Sequence, residues 1–347
     1  MTSFISTQSI SSLMRQSVLR MQSDLAASET ELTTGNYADI GLQLGAKTGD
    51  TVSLQAEASF LQTVTDTNQT VGTRLSTTQA NLSGLQTAAQ TLLDSLIQND
   101  GSVSNASTIQ ALGKSNLEGL ISALNSTVSG DYIFAGTNTS KQPLTDYYAA
   151  AAPNKAAVDT AFAAAFGMPQ TSPGVSAISG ANMQSFLDNQ FASLFQGASW
   201  AANWSSASSQ TLTNRISGSQ TASTSVSANN TAFQQLAQAY SMVADLGTQT
   251  LNSSAYQSVT STARGLLTSA ISNLTDLQAS AGLVQSDVSS ATNQMSVQMN
   301  ILSTQIGNLE SVNPYEIATR VTDLKTQIET SYSLTSQLQQ LSLVKYL

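Results

Sequence analysis

Residues 284–309 read VQSDVSSATNQMSVQMNILSTQIGNL. Val284, Val288, Ala291, Met295, Met299, Leu302, Ile306 and Leu309 recur there at intervals of three and four. That spacing is the seam of a coiled coil, in which one narrow apolar stripe on a helix faces a partner. The positions that flank the seam are mostly Gln, Ser and Thr, where coiled coils usually carry Glu and Lys.

The same rhythm returns near both ends of the chain. Ile10, Leu13, Met14, Val18, Met21, Leu25 and Leu32 predict a first helix, and Gly35 is placed to end it. Asn36 to Gly49 is glycine-rich and reads as a loop. A second helix is expected over 51–98, on Val52, Leu54, Phe60, Leu61, Val64, Val71, Leu75 and later leucines. NDGS at 99–102 reads as a turn, and a third helix is expected over 107–128. Helical periodicity resumes near Ala232 and is interrupted by VNPYE at 312–316. Pro314 suits the first turn of a new helix, with Asn313 as its N-cap and Glu316 near the positive end of the dipole. Ile317, Val321, Leu324, Ile328, Leu334, Leu338 and Leu341 carry that last helix.

Between the helical ends the texture changes. SGDYIFAGTNTSKQPL at 129–144 is a strand-and-turn signal, with Tyr132, Ile133 and Phe134 as an apolar cluster and Gly136 permitting a turn. Four of the five prolines and both tryptophans fall between 130 and 220. Residues 149–166 are Ala-rich and predict a helix with Pro153 in its first turn. Phe186, Phe191, Leu194, Phe195, Trp200 and Trp204 predict a small core. The simplest packing pairs the N-terminal helices with the C-terminal ones and leaves the middle as an insertion.

Composition narrows the function. Only 10% of residues are charged, against roughly 25% in an ordinary soluble protein. The formal charge of -9 disfavours nucleic acid, which needs a basic footprint. The chain has no cysteine and no histidine, which removes disulfides, thiol nucleophiles, imidazole acid–base chemistry and the commonest zinc ligands. Asp146, Asp159 and Asp188 are not paired in sequence and read as solvated surface. Met14, Met21, Met295 and Met299 sit at seam positions and read as packing residues. No cofactor, metal or catalytic residue is expected, and no run of about 18 apolar residues predicts a membrane span. The start, MTSFISTQSISSLMRQS, lacks a basic n-region and an unbroken apolar h-region, so export without a cleaved Sec signal is expected.

A two-helix hairpin buries one stripe and little more. Each large apolar side chain left in water forfeits roughly 1.5–3 kcal/mol. The terminal helices are therefore expected to be stable among copies of themselves, with Leu13, Val18, Met21, Leu25, Val321, Leu324, Ile328, Leu338 and Leu341 as the subunit-packing residues.

MRQSVLRMQSDLAASETELTTG at 14–35 and TRLSTTQANLSGL at 73–85 resemble the N-terminal helices of the flagellin family of bacterial flagellar axial proteins. YIFAGT at 132–137, VNPYEIATRV at 312–321 and the tail QLQQLSLVKYL at 337–347 are similar to its hook–filament junction (hook-associated) subgroup, as found in alphaproteobacteria. The resemblance covers roughly 1–137 and 230–347. NYADIGLQLGAKTGD at 36–50 departs from it, because the family commonly has a PSDDP-type loop there.

The resemblance implies a mainly α fold, with long paired N- and C-terminal helices as coiled-coil-like inner domains and an inserted mixed α/β or β-containing middle domain. The expected division is 1–40 with 310–347 facing a channel, 41–130 with 230–309 as a helical bundle, and 131–229 facing outward. The implied role is a non-enzymatic structural subunit of the flagellum, extracellular, exported by the flagellar secretion system and assembled at the hook–filament junction. Its partners would be copies of itself, other hook-associated proteins, flagellin and an export chaperone. The alternatives are flagellin itself and a soluble coiled-coil signalling or adhesin protein. An HExxH protease insertion, present in a few relatives, is impossible without histidine.

Overall fold

In the computed structural model the backbone is described for residues 7–99 and 101–344, and side chains from 9 to 337. The molecule is 75% helical, with long helices at both ends and small sheets in the middle. Helices are α1 (Thr7–Thr34), α2 (Ile40–Leu44), α3 (Thr48–Asn99), α4 (Ala106–Leu124), α5 (Pro153–Phe166), α6 (Gly180–Phe186), α7 (Gly197–Asn203), α8 (Thr231–Asp245), α9 (Ser253–Glu310) and α10 (Pro314–Val344). Two antiparallel hairpins, β1–β2 (Thr127–Val128, Asp131–Tyr132) and β3–β4 (Thr213–Arg215, Thr221–Ser223), complete it. The described residues divide into two compact units, one made of those up to 62 with those from 296, the other of 63–295.

The seam at 284–309 behaves as its spacing predicts. Val288, Ala291, Met295 and Leu302 are buried, and Val284, Met299, Ile306 and Leu309 are half-buried. In the 63–295 unit, Val71 and Leu75 of α3 pack with Val288 and Ala291 of α9 around Ile216, which the β3–β4 hairpin inserts between them. Asn68 ties the three elements together. Its Nδ2 donates to the Ile216 carbonyl (2.8 Å) and to Thr292 Oγ1 (3.0 Å).

The centre of the same unit is α8, buried from Ala232 to Ala244 except at Gln234 and Gln235. A helix that is buried on every side needs close neighbours. Gly113 of α4 supplies one, since a Cβ there would meet Val243 Cγ1 at 2.9 Å. One continuous core runs from Leu82 to Leu274 and takes in the middle segment. The small core expected around Phe186 and Trp200 is therefore part of a larger one. Tyr147, Trp204, Phe195 and Phe191 stack in sequence with ring centroids 5.0–5.4 Å apart, the offset contacts aromatic rings favour.

The run at 129–144 is strand for only its first residues. Ser129 (φ 54°) and Gly130 (φ 90°) form the two-residue left-handed turn of a tight hairpin between β1 and β2. Ile133, Phe134 and Ala135 then descend into the core, while Tyr132 stays half-buried. The Phe134 carbonyl accepts from Ala228 N at 2.7 Å, and its ring meets Phe233 edge-on at 5.7 Å.

Two boundaries and the burial of two side chains differ from the sequence expectation. The glycine-rich segment after Gly35 contains α2, because Asp39 Oδ1 caps it by accepting from Leu42 N at 2.8 Å. The third helix stops at Leu124 because Asn125 and Leu144 exchange two hydrogen bonds, Nδ2 to carbonyl (2.9 Å) and amide to Oδ1 (2.8 Å). Val52 and Phe60, expected inside, face solvent at 58% and 42% exposure. The turn at 99–102 includes Asp100, which lies outside the described residues.

Gly136 adopts φ +61°, and a Cβ there would collide with the carbonyl oxygens of Ser208 and Gln210. Left-handed backbone alone costs a non-glycine residue roughly 1–2 kcal/mol. Gly136→Ala should lower the urea-unfolding free energy of this unit by at least that much, read from tryptophan fluorescence.

Candidate assembly surface

α1 and α10 form an antiparallel pair built on complementary seams. α1 buries or half-buries Met14, Val18, Met21, Leu25 and Ser28, and α10 does the same with Ile317, Val321, Leu324, Ile328, Ser331 and Thr335. Val18 (7%), Val321 (8%) and Ile328 (9%) are the buried members of the expected packing set, while Met21, Leu25 and Leu324 are half-buried. Leu13 is not in this seam and stands 62% exposed. Leu334 was expected to line α10's packing face and is also exposed, at 46%. The side chains of Leu338 and Leu341 lie outside the described residues.

Polar contacts fix the register of the pair. Gln22 Nε2 donates to Tyr332 Oη at 2.8 Å, and Lys325 meets Glu29 at 3.1 Å. The Lys325–Glu29 pair is half in solvent on both sides, so it contributes at most about 1 kcal/mol. The apolar end is firmer, with Val312, Ile317 and Val321 packed against Leu25 and Tyr37.

The loops on either side of this end are stitched together. Tyr37 N donates to the Glu310 carbonyl and Val312 N to the Gly35 carbonyl, both at 2.9 Å, around a bridge between Asn36 and Ser311. Glu310 is only 8% exposed and accepts from Gln55 Nε2 at 2.6 Å. Asn313 Oδ1 accepts from Tyr315 N at 3.1 Å, the N-cap expected for α10. Sequence reasoning missed Glu310, Tyr37 and Val312. The one signal they carry is adjacency to Gly35 and Pro314, where both helices must break.

This unit leaves much of its apolar surface in water. Of the exposed large hydrophobic side chains among the described residues, all but Ile97, Val103 and Leu283 belong to it. Leu13, Leu19, Tyr315, Tyr332, Val297 and Ile301 exceed 50% exposure. Val297 and Ile301, with Asn300, Thr304 and Gln305, also line a shallow groove of about 360 Å³. Clustered exposed apolar side chains, where they form one patch, are the usual mark of an interaction surface.

A cluster of interacting titratable side chains lies in the other unit. Lys155 Nζ bridges Asp159 Oδ1 (2.8 Å) and Asp245 Oδ2 (3.2 Å), and Tyr147 Oη donates to Asp245 Oδ2 at 2.7 Å. Burial raises the Asp245 carboxyl above its ordinary range, although Tyr147 and Lys155 pull it back. Burial and the Asp245 charge push the Tyr147 phenol up. Burial opposes the Lys155 charge, but hydrogen bonds to Asp159 and Asp245 outweigh it and raise that pKa. Asp146 caps Tyr148 N (2.9 Å), and Asp188 accepts from Gln184 (2.9 Å). Among the described residues no group of three or more Asp or Glu could hold a metal, and no helix is long and apolar enough to cross a membrane.

Comparison with known families places this geometry. The bacterial flagellin N-terminal helical region matches residues 5–139, and the bacterial flagellin C-terminal helical region matches residues 265–347. Together they take in well over half of the chain, including α1, α3, α10 and most of α9. The chain belongs to the bacterial flagellin family. Members are structural, non-enzymatic subunits of the extracellular flagellum that self-assemble into polymers, so the signalling or adhesin reading falls away. No curated protein matches the chain.

Two outcomes follow from these contacts. Ile317→Ala should destabilise the α1–α10 pair by about 2–4 kcal/mol, seen as helical circular dichroism lost at lower urea, whereas Glu29→Ala should change it by less than about 1 kcal/mol. Lys155 and Tyr147 both have folded pKa values above their unfolded ones, near 10. Their stabilisation is complete below that pH and is lost as pH rises through the folded values. The urea midpoint of the 63–295 unit should therefore fall above about pH 10, with a shallower fall in Tyr147→Phe.

Proposed function

We propose that this flagellin-family subunit is exported through the flagellar secretion system and assembles at the hook–filament junction. The observation that carries self-packing is the concentration of exposed apolar side chains around the α1–α10 pair. Val18, Met21, Leu25, Val321, Leu324 and Ile328 hold that pair together, and Leu13 is offered to a neighbouring copy. Leu338 and Leu341 continue the same spacing. In this reading 1–40 with 310–347 faces a central channel, 41–130 with 230–309 forms a surrounding bundle, and 131–229 points outward, entered through Tyr132, Ile133, Phe134 and Gly136. Its partners are further copies, other hook-associated proteins, flagellin and an export chaperone. The junction role, as opposed to the filament, is supported by the YIFAGT run, the VNPYEIATRV entry to α10 and the QLQQLSLVKYL tail.

Two experiments test the proposal. Immunogold labelling of intact flagella should give one band at the hook end; label along the whole filament would make the chain the filament subunit. Leu324→Asp places a carboxylate in a half-buried seam position, which costs several kcal/mol unless it is paired. It should abolish assembly while leaving the urea midpoint of the 63–295 unit unchanged, as should Leu338→Asp. Normal assembly of both variants would sink the packing role.

A further inference from the structure

α2 (Ile40–Leu44) is a helix without a core. Ile40, Leu42 and Leu44 are apolar, yet no residue of the helix is buried. Ile40 and Leu44, four residues apart, share its half-buried face. Leu42 stands on the other side and, at 85%, is the most exposed large hydrophobic side chain among the described residues. The 3₁₀ turn that follows, Gly45–Lys47, buries nothing either. What holds the segment is polar: Asp39 Oδ1 accepts from Leu42 N at 2.8 Å, and Thr48 Oγ1 donates to the Gly45 carbonyl at 2.8 Å. Isolated helices shorter than about 12–15 residues are marginal in water, and most helices in proteins are stabilised by packing an apolar face. The single chain does not supply that packing to Leu42. Tyr315 is nearly as exposed, at 84%, but it rides on α10, which Ile317 and Val321 anchor.

We propose that Leu42 of one copy seats against Val297 and Ile301 in the α9 groove of the next. The groove belongs to the same compact unit as α2, and Val297 (60% exposed) and Ile301 (53%) lie one helical turn apart in it. Its other lining residues, Asn300, Thr304 and Gln305, are uncharged, and the Thr304 hydroxyl already donates to the Asn300 carbonyl at 2.9 Å. An aliphatic knob entering there desolvates no ion. Two observations make a second copy the occupant. Leu42 is too exposed to fill the groove of its own chain. Members of the family self-assemble into polymers, and identical subunits grow beyond a closed pair through two different, complementary patches. A knob on α2 and a groove on α9 are two such patches. This contact rests on the self-packing part of the proposed function and not on the junction role.

The chain has no cysteine, so an introduced pair reports alone. In flagella isolated from cells making the double variant Leu42→Cys, Ile301→Cys, a short bis-maleimide should link this chain into a ladder of multimers, and each single variant should give none. Separately, Leu42→Lys and Ile301→Asp should each lower incorporation into flagella by about tenfold or more, with an unchanged urea midpoint, and the two combined in one chain should recover most of it. Assembled double-cysteine flagella without a ladder would overturn the proposal. So would dimers from Leu42→Cys alone, a cross-link to a different protein, or normal incorporation of both charged variants. If the cysteine pair does not assemble, the charge pair decides, and failure of the combined variant to recover overturns the contact. The ladder is read wherever on the flagellum the gold label falls, so the junction role can fail without it. A missing ladder in a chain whose assembly Leu324→Asp still blocks removes the α2 contact alone.

Discussion

A single apolar stripe, repeating every three and four residues, is the constraint on which the rest of the molecule depends. On α3 it passes through Leu61, Asn68, Leu75, Leu82, Leu85, Leu92 and Leu96, and on α9 through Val288, Ala291, Met295 and Leu302. A stripe this narrow commits each helix to one partner direction. The flanks carry few charges, so charge pairs cannot set the register. Polar groups inside the seam set it instead, notably Asn68 with Thr292 and the Ile216 carbonyl.

The low charge content has a second consequence. Threonine hydroxyls along the helices largely turn back on their own backbone, as at Thr30, Thr73, Thr77, Thr322, Thr326 and Thr330, each bonded to the carbonyl four residues earlier. A hydroxyl used in this way holds surface water less firmly than a lysine or glutamate would. Removing that water when another copy packs alongside costs correspondingly little. A helix surface of this kind suits a family whose members polymerise.

The two units put the same kinds of residue to opposite use. In 63–295 the aromatic side chains stack inside one closed core, and α8 is enclosed on nearly every side. In the other unit, two seams meet and further leucines, valines and tyrosines stay in water. Complete burial of such a side chain is worth roughly 1.5–3 kcal/mol, and each of these, partly exposed, leaves a fraction of that unrealised. Over the whole unit that is a large sum beside the 5–15 kcal/mol that stabilises a typical domain. The first unit encloses its large apolar side chains almost completely, and the second leaves many of them in water.

The sequence by itself determined the long helices and the start of α5, because a 3–4 repeat over many turns, Pro153 at the first position of α5 and Asn313–Pro314 at the start of α10 are local instructions. It also determined the absence of imidazole and thiol chemistry. The tertiary structure decided what local signals cannot carry. Leu13, Val52 and Phe60 have the right spacing for a core, yet they point outward, since a two-helix contact covers only one stripe and periodicity does not say how many neighbours a helix has. Glu310 lies inside because Gln55 and the Tyr37 amide, far away in sequence, come to meet it. The YIFAGT run reads as a strand, but its strand ends at Tyr132: Ala228 and Phe233, about a hundred residues onward, draw Phe134 into the core.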